Sequence, residues 1–305
     1  MSDPNAPSGI YAAVSTPFNA RGEVDTGRLA NHAHWLLRNG CDGLGVLGTT
    51  GEANSLTMDE RRRVVDDLVA AGIAPERLMP GTGCCALADT VALTRHALAA
   101  GVTSVLMLPP FFYKNNSDEG LVAAYSSVIE AVNDPRLKVL LYHFPQMSGV
   151  PVTQGVARAL VDRYPGVVVG MKDSSGDLEA MTAMMDAVPE LAMFPGSERL
   201  LGDAIKRVAG CITAGANVEA SLIRTVWDQR GADAINAADL DIMVAVNLLL
   251  REYGLFAPIK ALLARNYDDP EWRNIRPPLM QLSDERRREL FAAFDATGYT
   301  LPAAA

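Results

Sequence analysis

Thiol, imidazole and lysine are all scarce in this chain of 305 residues, which has four cysteines, four histidines and five lysines. Cys41, Cys84, Cys85 and Cys211 form no C-x-x-C pair, and the vicinal Cys84 and Cys85 are poorly placed to bridge. A disulfide scaffold is therefore not expected, and the thiols read as reduced, small hydrophobes of a cytoplasmic protein. His32, His34, His96 and His143 are too few and too scattered for a histidine-rich metal centre. His32 and His34 also fall on different faces of one expected helix, so no metal is expected. No uninterrupted apolar run approaches the roughly 20 residues of a membrane span. The N-terminus has neither the basic nor the apolar region of a signal peptide. Basic charge is also short, at 27 Lys and Arg against 36 Asp and Glu, for a net charge of −9. That balance argues against nucleic acid as a partner. The arginine triplets 61–63 and 286–288 lie beside Asp and Glu in helical stretches and read as solvated faces.

What is present is the composition of a globular protein, 49% hydrophobic and 21% charged. Short β-rich runs at 11–15, 43–47, 78–81, 104–108, 139–142, 167–172, 192–195 and 211–213 alternate with amphipathic stretches. The amphipathic stretches run over 26–39, 57–71, 89–100, 117–132, 153–164, 177–188 and 198–209. Thr26, Thr57, Asp89, Ser117, Thr153 and Asp177 stand where helix caps are expected, and Gly40, Gly72, Gly101 and Gly210 where helices stop. Eight βα repeats at this spacing predict an α/β fold, a (β/α)8 TIM barrel, rather than an open sheet. Neither G-x-G-x-x-G nor G-x-x-x-x-G-K-[ST] follows any strand, so the usual signature of nucleotide-binding open sheets is missing. Beyond Thr213 the text turns helical, over 218–227, 234–252 and 283–296, with 266–278 as a loop. The organisation expected is a barrel over 1–224 and a C-terminal helical region over 225–305.

In such a barrel, chemistry belongs at the C-terminal ends of the strands. After the second strand comes Gly48-Thr49-Thr50-Gly51-Glu52. It reads either as an amide nest for an anion or as an ordinary loop with Glu52 in a cap. Pro109-Pro110-Phe111-Phe112-Tyr113 follows the fourth strand, where aromatics serve packing or an interface. Tyr142 ends the fifth strand, and a tyrosine there can move protons if other hydroxyls hold it. The sixth strand, 167–172, is very apolar and ends in Lys172. Of the other lysines, Lys114 lies in a loop, Lys138 precedes a strand at the opposite end, and Lys206 and Lys260 fall on helical segments. Burying an ammonium for packing is costly, and burial favours the neutral amine, a nucleophile for carbonyl carbon. The alternative is a buried pair with Asp173, which alternation places on the opposite face of the strand. An amine, an anion nest and a tyrosine at one barrel mouth suit Schiff-base chemistry on a 2-oxo acid.

These segments resemble the family of dihydrodipicolinate synthase and N-acetylneuraminate lyase, the pyruvate-dependent class I aldolases. The likeness runs from Pro17-Phe18 through residues 48–52, 142–145 and 170–176 to Ala216-Asn217. It implies a cofactor-independent lyase and a homotetramer built as a dimer of dimers. By the resemblance Lys172 is the Schiff-base lysine and Tyr142 the acid/base group. Thr49 links Tyr142 to Tyr113 of a neighbouring subunit, and the Thr49 and Thr50 amides bind the pyruvate carboxylate. Gly196, Glu198, Ile212 and Met147 fall where the family lines its substrate cleft.

The departures bear on substrate. Met147 stands where the synthases place an arginine for the carboxylate of aspartate semialdehyde, and a thioether cannot pair with a carboxylate. In Gly196-Ser197-Glu198-Arg199 one of two acidic residues of the sialic-acid lyases is replaced by Arg199, and Ala214 stands for their serine. His143 replaces the commoner asparagine after the tyrosine. The expectation is cleavage or formation of a carbon–carbon bond next to a pyruvate unit in a 2-keto-3-deoxy acid. Dihydrodipicolinate synthase itself and a keto-deoxy sugar acid dehydratase are the alternatives. The intact Lys172, Tyr142, Thr49 and Tyr113 speak against a non-catalytic binding barrel.

Overall fold

The computed structural model describes residues 6–304. Seven strands are formed: β1 (Gly9–Ala13), β2 (Gly43–Gly45), β3 (Ser104–Met107), β4 (Lys138–His143), β5 (Val168–Asp173), β6 (Ala192–Pro195) and β7 (Gly210–Thr213). They pair in parallel in two arcs, β2-β1-β7 and β3-β4-β5-β6. The expected strand at 78–81 joins them as a bare extended stave. Met79 N–H donates to Leu44 O at 2.9 Å and Gly81 N–H to Val46 O at 2.8 Å, while Leu106 N–H donates to Pro80 O at 3.0 Å. Pro80 has no N–H to give, which is why this stave bridges its neighbours without forming a ladder. On the other side Ala209 N–H donates to Met193 O at 2.9 Å and Gly9 N–H to Ala209 O at 2.9 Å. The eight staves thus close the barrel expected from the sequence.

Alternation sets the two faces of the wall. Tyr11, Met79, Leu106, Leu140, Phe194 and Ile212 fill the interior. Val105, Leu141, Met171, Met193 and Cys211 face outward into the larger core under the helices. Four of the expected caps hold. Thr57, Ser117, Thr153 and Asp177 accept from the backbone of their helices' first turns, and Thr57 forms a full capping box with Glu60. Two differ. Asp25, not Thr26, caps the first helix by accepting from Arg28 N–H, because a carboxylate also suits the positive helix end. The helix expected from Asp89 begins at Leu87 after an uncapped Ala86, with Asp89 inside its first turn.

The stretch 198–209 is not one helix. It breaks into a 3₁₀ turn at Glu198–Leu200 and a short helix at Leu201–Ala204. The helical segment around Lys260, read from the sequence without bounds, spans Phe256–Asn266. Its Pro258 lies in the first turn, where a missing N–H costs little. With Ala237–Glu252 and Asp284–Ala296 it encloses a second apolar core around Leu250, Ile259, Leu263, Trp272 and Phe294. The helix Ala216–Asp228 contributes Val218 to this core and Ile223 to the barrel core, so it belongs to both. No single helix among the described residues is long and apolar enough to cross a membrane.

Candidate active site

The parallel pairing of β4 and β5 sets Tyr142 directly beside Lys172. Both side chains turn into the barrel, and both residues are almost wholly buried. Lys172 Nζ stands 4.5 Å from the centre of the Tyr142 ring. The Tyr142 hydroxyl is 3.2 Å from Thr49 Oγ1. Asp173 does not pair with this lysine; its Oδ1 accepts from Ser175 N–H at 2.8 Å. An amine on the barrel axis is thus held against a phenol that shares its proton with a second hydroxyl.

The loop that brings Thr49 here is bounded by two left-handed residues, Leu47 (φ 57°) and Glu52 (φ 54°). Between them the chain folds back on itself. Glu52 N–H donates to Thr49 O at 3.0 Å, Ala53 N–H to Gly48 O at 3.2 Å, and Thr16 Oγ1 to Gly51 O at 2.8 Å. Among the described residues no acceptor reaches the Thr49 and Thr50 amides. Two free N–H groups in a tight, strained turn suit an anion. Glu52 does not cap the 3₁₀ turn after it. Its carboxylate instead meets Lys260 Nζ at 2.5 Å and accepts from Arg276 N–H at 3.0 Å.

The other expected residues divide. Ile212 is fully buried in the barrel interior. Gly196 donates to Asp173 O at 2.6 Å, and a Cβ on it would stand 2.1 Å from Ser174 Oγ, so a side chain is excluded by the β5 end. Met147 is 59% exposed on the short helix Pro145–Ser148 beyond β4. Tyr113 is 75% exposed beside Phe112 and takes no part in the mouth of its own chain. Glu198 requires a correction, because its carboxylate does not line the cleft. It accepts from Thr213 Oγ1 and, at 2.7 Å, from Asn247 Nδ2. Thr213 is two residues from outward-facing Cys211, so Glu198 sits outside the barrel wall beneath the C-terminal helices.

His143 anchors backbone rather than substrate. Its Nδ1 accepts from Val152 N–H at 3.0 Å and ties down the segment after β4. Burial lowers its pKa, with Asp173 opposing, and the accepting nitrogen requires the neutral ring.

Two features escaped the sequence reading. Lys260 is as buried as Lys172, and the signal was available as a lone cation inside the apolar run around Pro258 and Leu263. Glu219 is fully buried opposite Glu198 at a break in its helix. Burial and the Glu198 charge hold its pKa well above the ordinary carboxylate range. Nothing in the local pattern announces a second buried acid.

Open surface cavities of about 490 Å3 and 320 Å3 lie away from this array, the first around Ser8, Asp42 and Lys206, the second around Asp269, Arg273 and Phe291. Thr49 and Tyr142 line a narrower cleft of about 20 Å3 together with Gly48 and Leu108.

Comparison with known proteins agrees with the fold. The chain is 36% identical over 293 residues to an uncharacterized DapA-like lyase of Chloroflexus aurantiacus, covering 95% of this chain and 96% of that one. The crystal structure of dihydrodipicolinate synthase from Agrobacterium tumefaciens superposes with a TM-score of 0.88 at 31% identity, over 95% of this chain and 99% of that one. A chloride-inhibited dihydrodipicolinate synthase from Acinetobacter baumannii, complexed with pyruvate, gives 0.85 at 26% identity over 96% and 99%. The profile of the Dihydrodipicolinate synthetase family matches residues 6–297, nearly the whole chain, and the chain belongs to that family.

Proposed function

We propose that this protein is a pyruvate-dependent class I lyase in which Lys172 forms the Schiff base. The observation that carries this reading is the Lys172–Tyr142–Thr49 array, with the free Thr49 and Thr50 amides beside it. The nest binds the carboxylate of a 2-oxo acid. Lys172 Nζ attacks the keto carbon, and loss of water leaves a protonated imine. In the cleavage direction Tyr142 takes the proton of the C4 hydroxyl, the C3–C4 bond breaks, and its electron pair passes into the imine to give the enamine. An aldehyde leaves. Protonation of the enamine and hydrolysis then return pyruvate and the free amine. The imine nitrogen is the electron sink, so the reaction uses no cofactor. Thr49 holds the Tyr142 hydroxyl and passes its proton outward.

Tyr113 acts across a subunit contact in this reading. An aromatic pair so exposed on a loop is suited to insertion into a neighbour, within a cytoplasmic homotetramer built as a dimer of dimers. The barrel over 1–224 carries the chemistry, and the helical region over 225–305 supports it. Apolar Met147 beyond β4 favours a 2-keto-3-deoxy acid over aspartate semialdehyde as the partner. Dihydrodipicolinate synthase activity is the second reading, favoured by the synthase names among the relatives. A coupled assay separates the two by comparing pyruvate plus aspartate semialdehyde with keto-deoxy sugar acids.

The decisive test is borohydride reduction in the presence of pyruvate, followed by intact mass and peptide mapping. One reduced adduct on Lys172 is the expected result. A folded protein without an adduct, or a Lys172→Ala variant retaining a tenth of wild-type turnover, overturns the mechanism.

A further inference from the structure

The cavity of about 320 Å3 in the C-terminal region is enclosed by the helix Phe256–Asn266, the turn Pro270–Arg273 and the helix Asp284–Ala296. Ala261, Ala264 and Phe291 give it apolar wall. Arg265, Arg273 and Arg287 line it together with Asp268 and Asp269. In a chain of net charge −9, three guanidiniums around one hollow run against the overall balance.

Most of these charges are already committed. Asp269 binds Arg28 Nε at 2.5 Å and accepts from Glu271 N–H at 3.1 Å. Arg265 reaches the two oxygens of Asp295 at 3.3 Å and 2.5 Å, and its guanidinium carbon stands 5.0 Å from the centre of the Phe291 ring. Arg287 meets Asp284 at 2.9 Å, but that acid is 78% exposed, and such a surface pair is worth little. Arg273 has no carboxylate partner among the described residues. Its Nε donates to Pro270 O at 3.0 Å, which leaves its Nη groups uncommitted. Arg28 and Arg276, on either side of it, each close on carboxylates instead. Asp268 is exposed, has a left-handed φ of 48° and pairs with no cation among the described residues.

Two cations, Arg273 and the loosely held Arg287, thus stand against one uncommitted acid, Asp268. A guanidinium with free Nη groups is a planar fork that matches a carboxylate. An inorganic anion leaves the Ala261, Ala264 and Phe291 surface uncovered, and a neutral hydrocarbon leaves the fork unpaired. Asp268 opposes a second negative charge and so restricts the ligand to a monoanion.

We propose that this cavity binds a small monocarboxylate with a hydrocarbon or aryl body. The Arg273 fork holds the carboxylate with Arg287 alongside, and the body covers Ala261, Ala264 and Phe291. The site is separate from the barrel mouth and independent of the chemistry at Lys172.

The test is a ligand-observed NMR titration of the full chain with 3-phenylpropionate and with 3-phenylpropan-1-ol, its neutral counterpart, in wild type, Arg273→Gln, Arg273→Lys and Asp268→Asn. The wild type is expected to bind the acid saturably and at least 10-fold more tightly than the alcohol. Arg273→Gln is expected to raise the Kd of the acid about 10- to 100-fold, the worth of a hydrogen bond to a charged group, and to leave the alcohol unchanged. Arg273→Lys restores part of the affinity, because it keeps the charge without the fork. Asp268→Asn keeps a residue that tolerates the left-handed backbone and removes a like charge, so it is expected to tighten the acid a few-fold. A merely structural arginine and aspartate produce neither the acid–alcohol ratio nor the tightening. Absence of saturable binding in the wild type, equal Kd values for acid and alcohol, or an unchanged Kd in Arg273→Gln overturns the site. If Arg273→Gln does not fold, the wild-type ratio and Asp268→Asn still decide it.

Discussion

Lys260 Nζ lies 2.5 Å from Glu52 Oε1, with the two side chains 1% and 0% exposed, and this contact ties the C-terminal helices to the anion nest. The same ammonium donates to Asn274 O at 2.7 Å and stands 4.3 Å from the centre of the Phe18 ring. Arg276 supplies an N–H to the other Glu52 oxygen and closes on Glu60 and Gly22 O. Burial pulls the Lys260 pKa down to about 8, while the Glu52 charge works against that fall. Glu52 adopts its left-handed φ at a cost of about 1–3 kcal/mol, and the Lys260 and Arg276 contacts hold it there.

Removing the ammonium leaves a buried, partly unpaired carboxylate. Lys260→Met is expected to lower the unfolding free energy at pH 7 by about 3–5 kcal/mol. The 2-oxo acid KM is expected to rise more than kcat falls, because the nest and not the nucleophile is disturbed. Adding Glu52→Gln to Lys260→Met is expected to recover stability, since the uncompensated charge is then gone. Denaturant unfolding and a KM-against-kcat comparison check this. A single variant as stable as wild type contradicts it.

The second buried acid gives a prediction of its own sign. Gly215 leaves the room for it, since a Cβ there would stand 2.1 Å from Glu198 Oε1 and 2.7 Å from Glu219 Oε1. Glu219 holds its proton because its pKa is raised by burial and by the Glu198 charge. A raised acid pKa contributes stability below the unfolded value and loses it as pH rises. Wild-type stability is therefore penalised from about pH 4.5 upward, by about 1.4 kcal/mol per unit until the folded pKa is reached. Glu219→Gln keeps a donor facing Glu198 and does not titrate. It is expected to match wild type near pH 4 and to exceed it in melting temperature at pH 8. Parallel pH profiles of the two proteins contradict the assignment.

The barrel and its mouth were legible because they rest on local signals. Alternating strands and capped helices give the eight staves, and Lys172 at the end of an apolar strand has few reasons to be there but chemistry. The stave at 78–81 was legible from its place between two amphipathic stretches, since Leu-Met-Pro-Gly is not a run of β-formers, and it forms no ladder. Glu198 was misplaced because a 3₁₀ turn, not a helix, follows β6 and sends that side chain outside the wall. Lys260 was passed over because its partner is 208 residues away in sequence, at Glu52. Contacts of that separation are set by tertiary packing, and no periodicity encodes them.

The 3.2 Å contact between Thr49 Oγ1 and the Tyr142 hydroxyl predicts a split phenotype. Thr49→Val preserves shape and removes the hydroxyl. Proton transfer through Tyr142 is expected to slow, lowering kcat by about 10²-fold, the lower end of what positioned acid–base groups contribute. Imine formation at Lys172 needs the amine and the nest, so pyruvate trapping is expected to persist. Single-turnover trapping set against steady-state kcat reads both quantities. Equal loss of both, in a folded variant, shows that Thr49 only shapes the pocket.

His32 gives the acid limb of the stability curve. Its Nε2–H donates to Asn217 Oδ1 at 3.0 Å, and its Nδ1 accepts from the Tyr267 hydroxyl at 2.9 Å. Asn217 Nδ2 in turn donates to Ala13 O and Ala214 O, which fixes the amide's orientation and with it the neutral tautomer of the ring. The ring is enclosed by Trp35, Tyr267 and Trp272. Burial is the main cause of a pKa lowered to about 4, partly offset by the Asn217 bond. The unfolded chain therefore binds a proton near pH 6.5 that the folded chain refuses until about pH 4. Stability present above 6.5 falls by about 1.4 kcal/mol per unit across that window, roughly 3 kcal/mol in all. His143, lowered in the same direction, adds to the slope. His32→Gln is expected to start less stable at pH 7 but to lose less between pH 6.5 and 4.5, as measured by denaturant midpoints at each pH. The part of the slope attributable to His143 is expected to survive. An acid limb as steep in the variant as in the wild type removes His32 as its source.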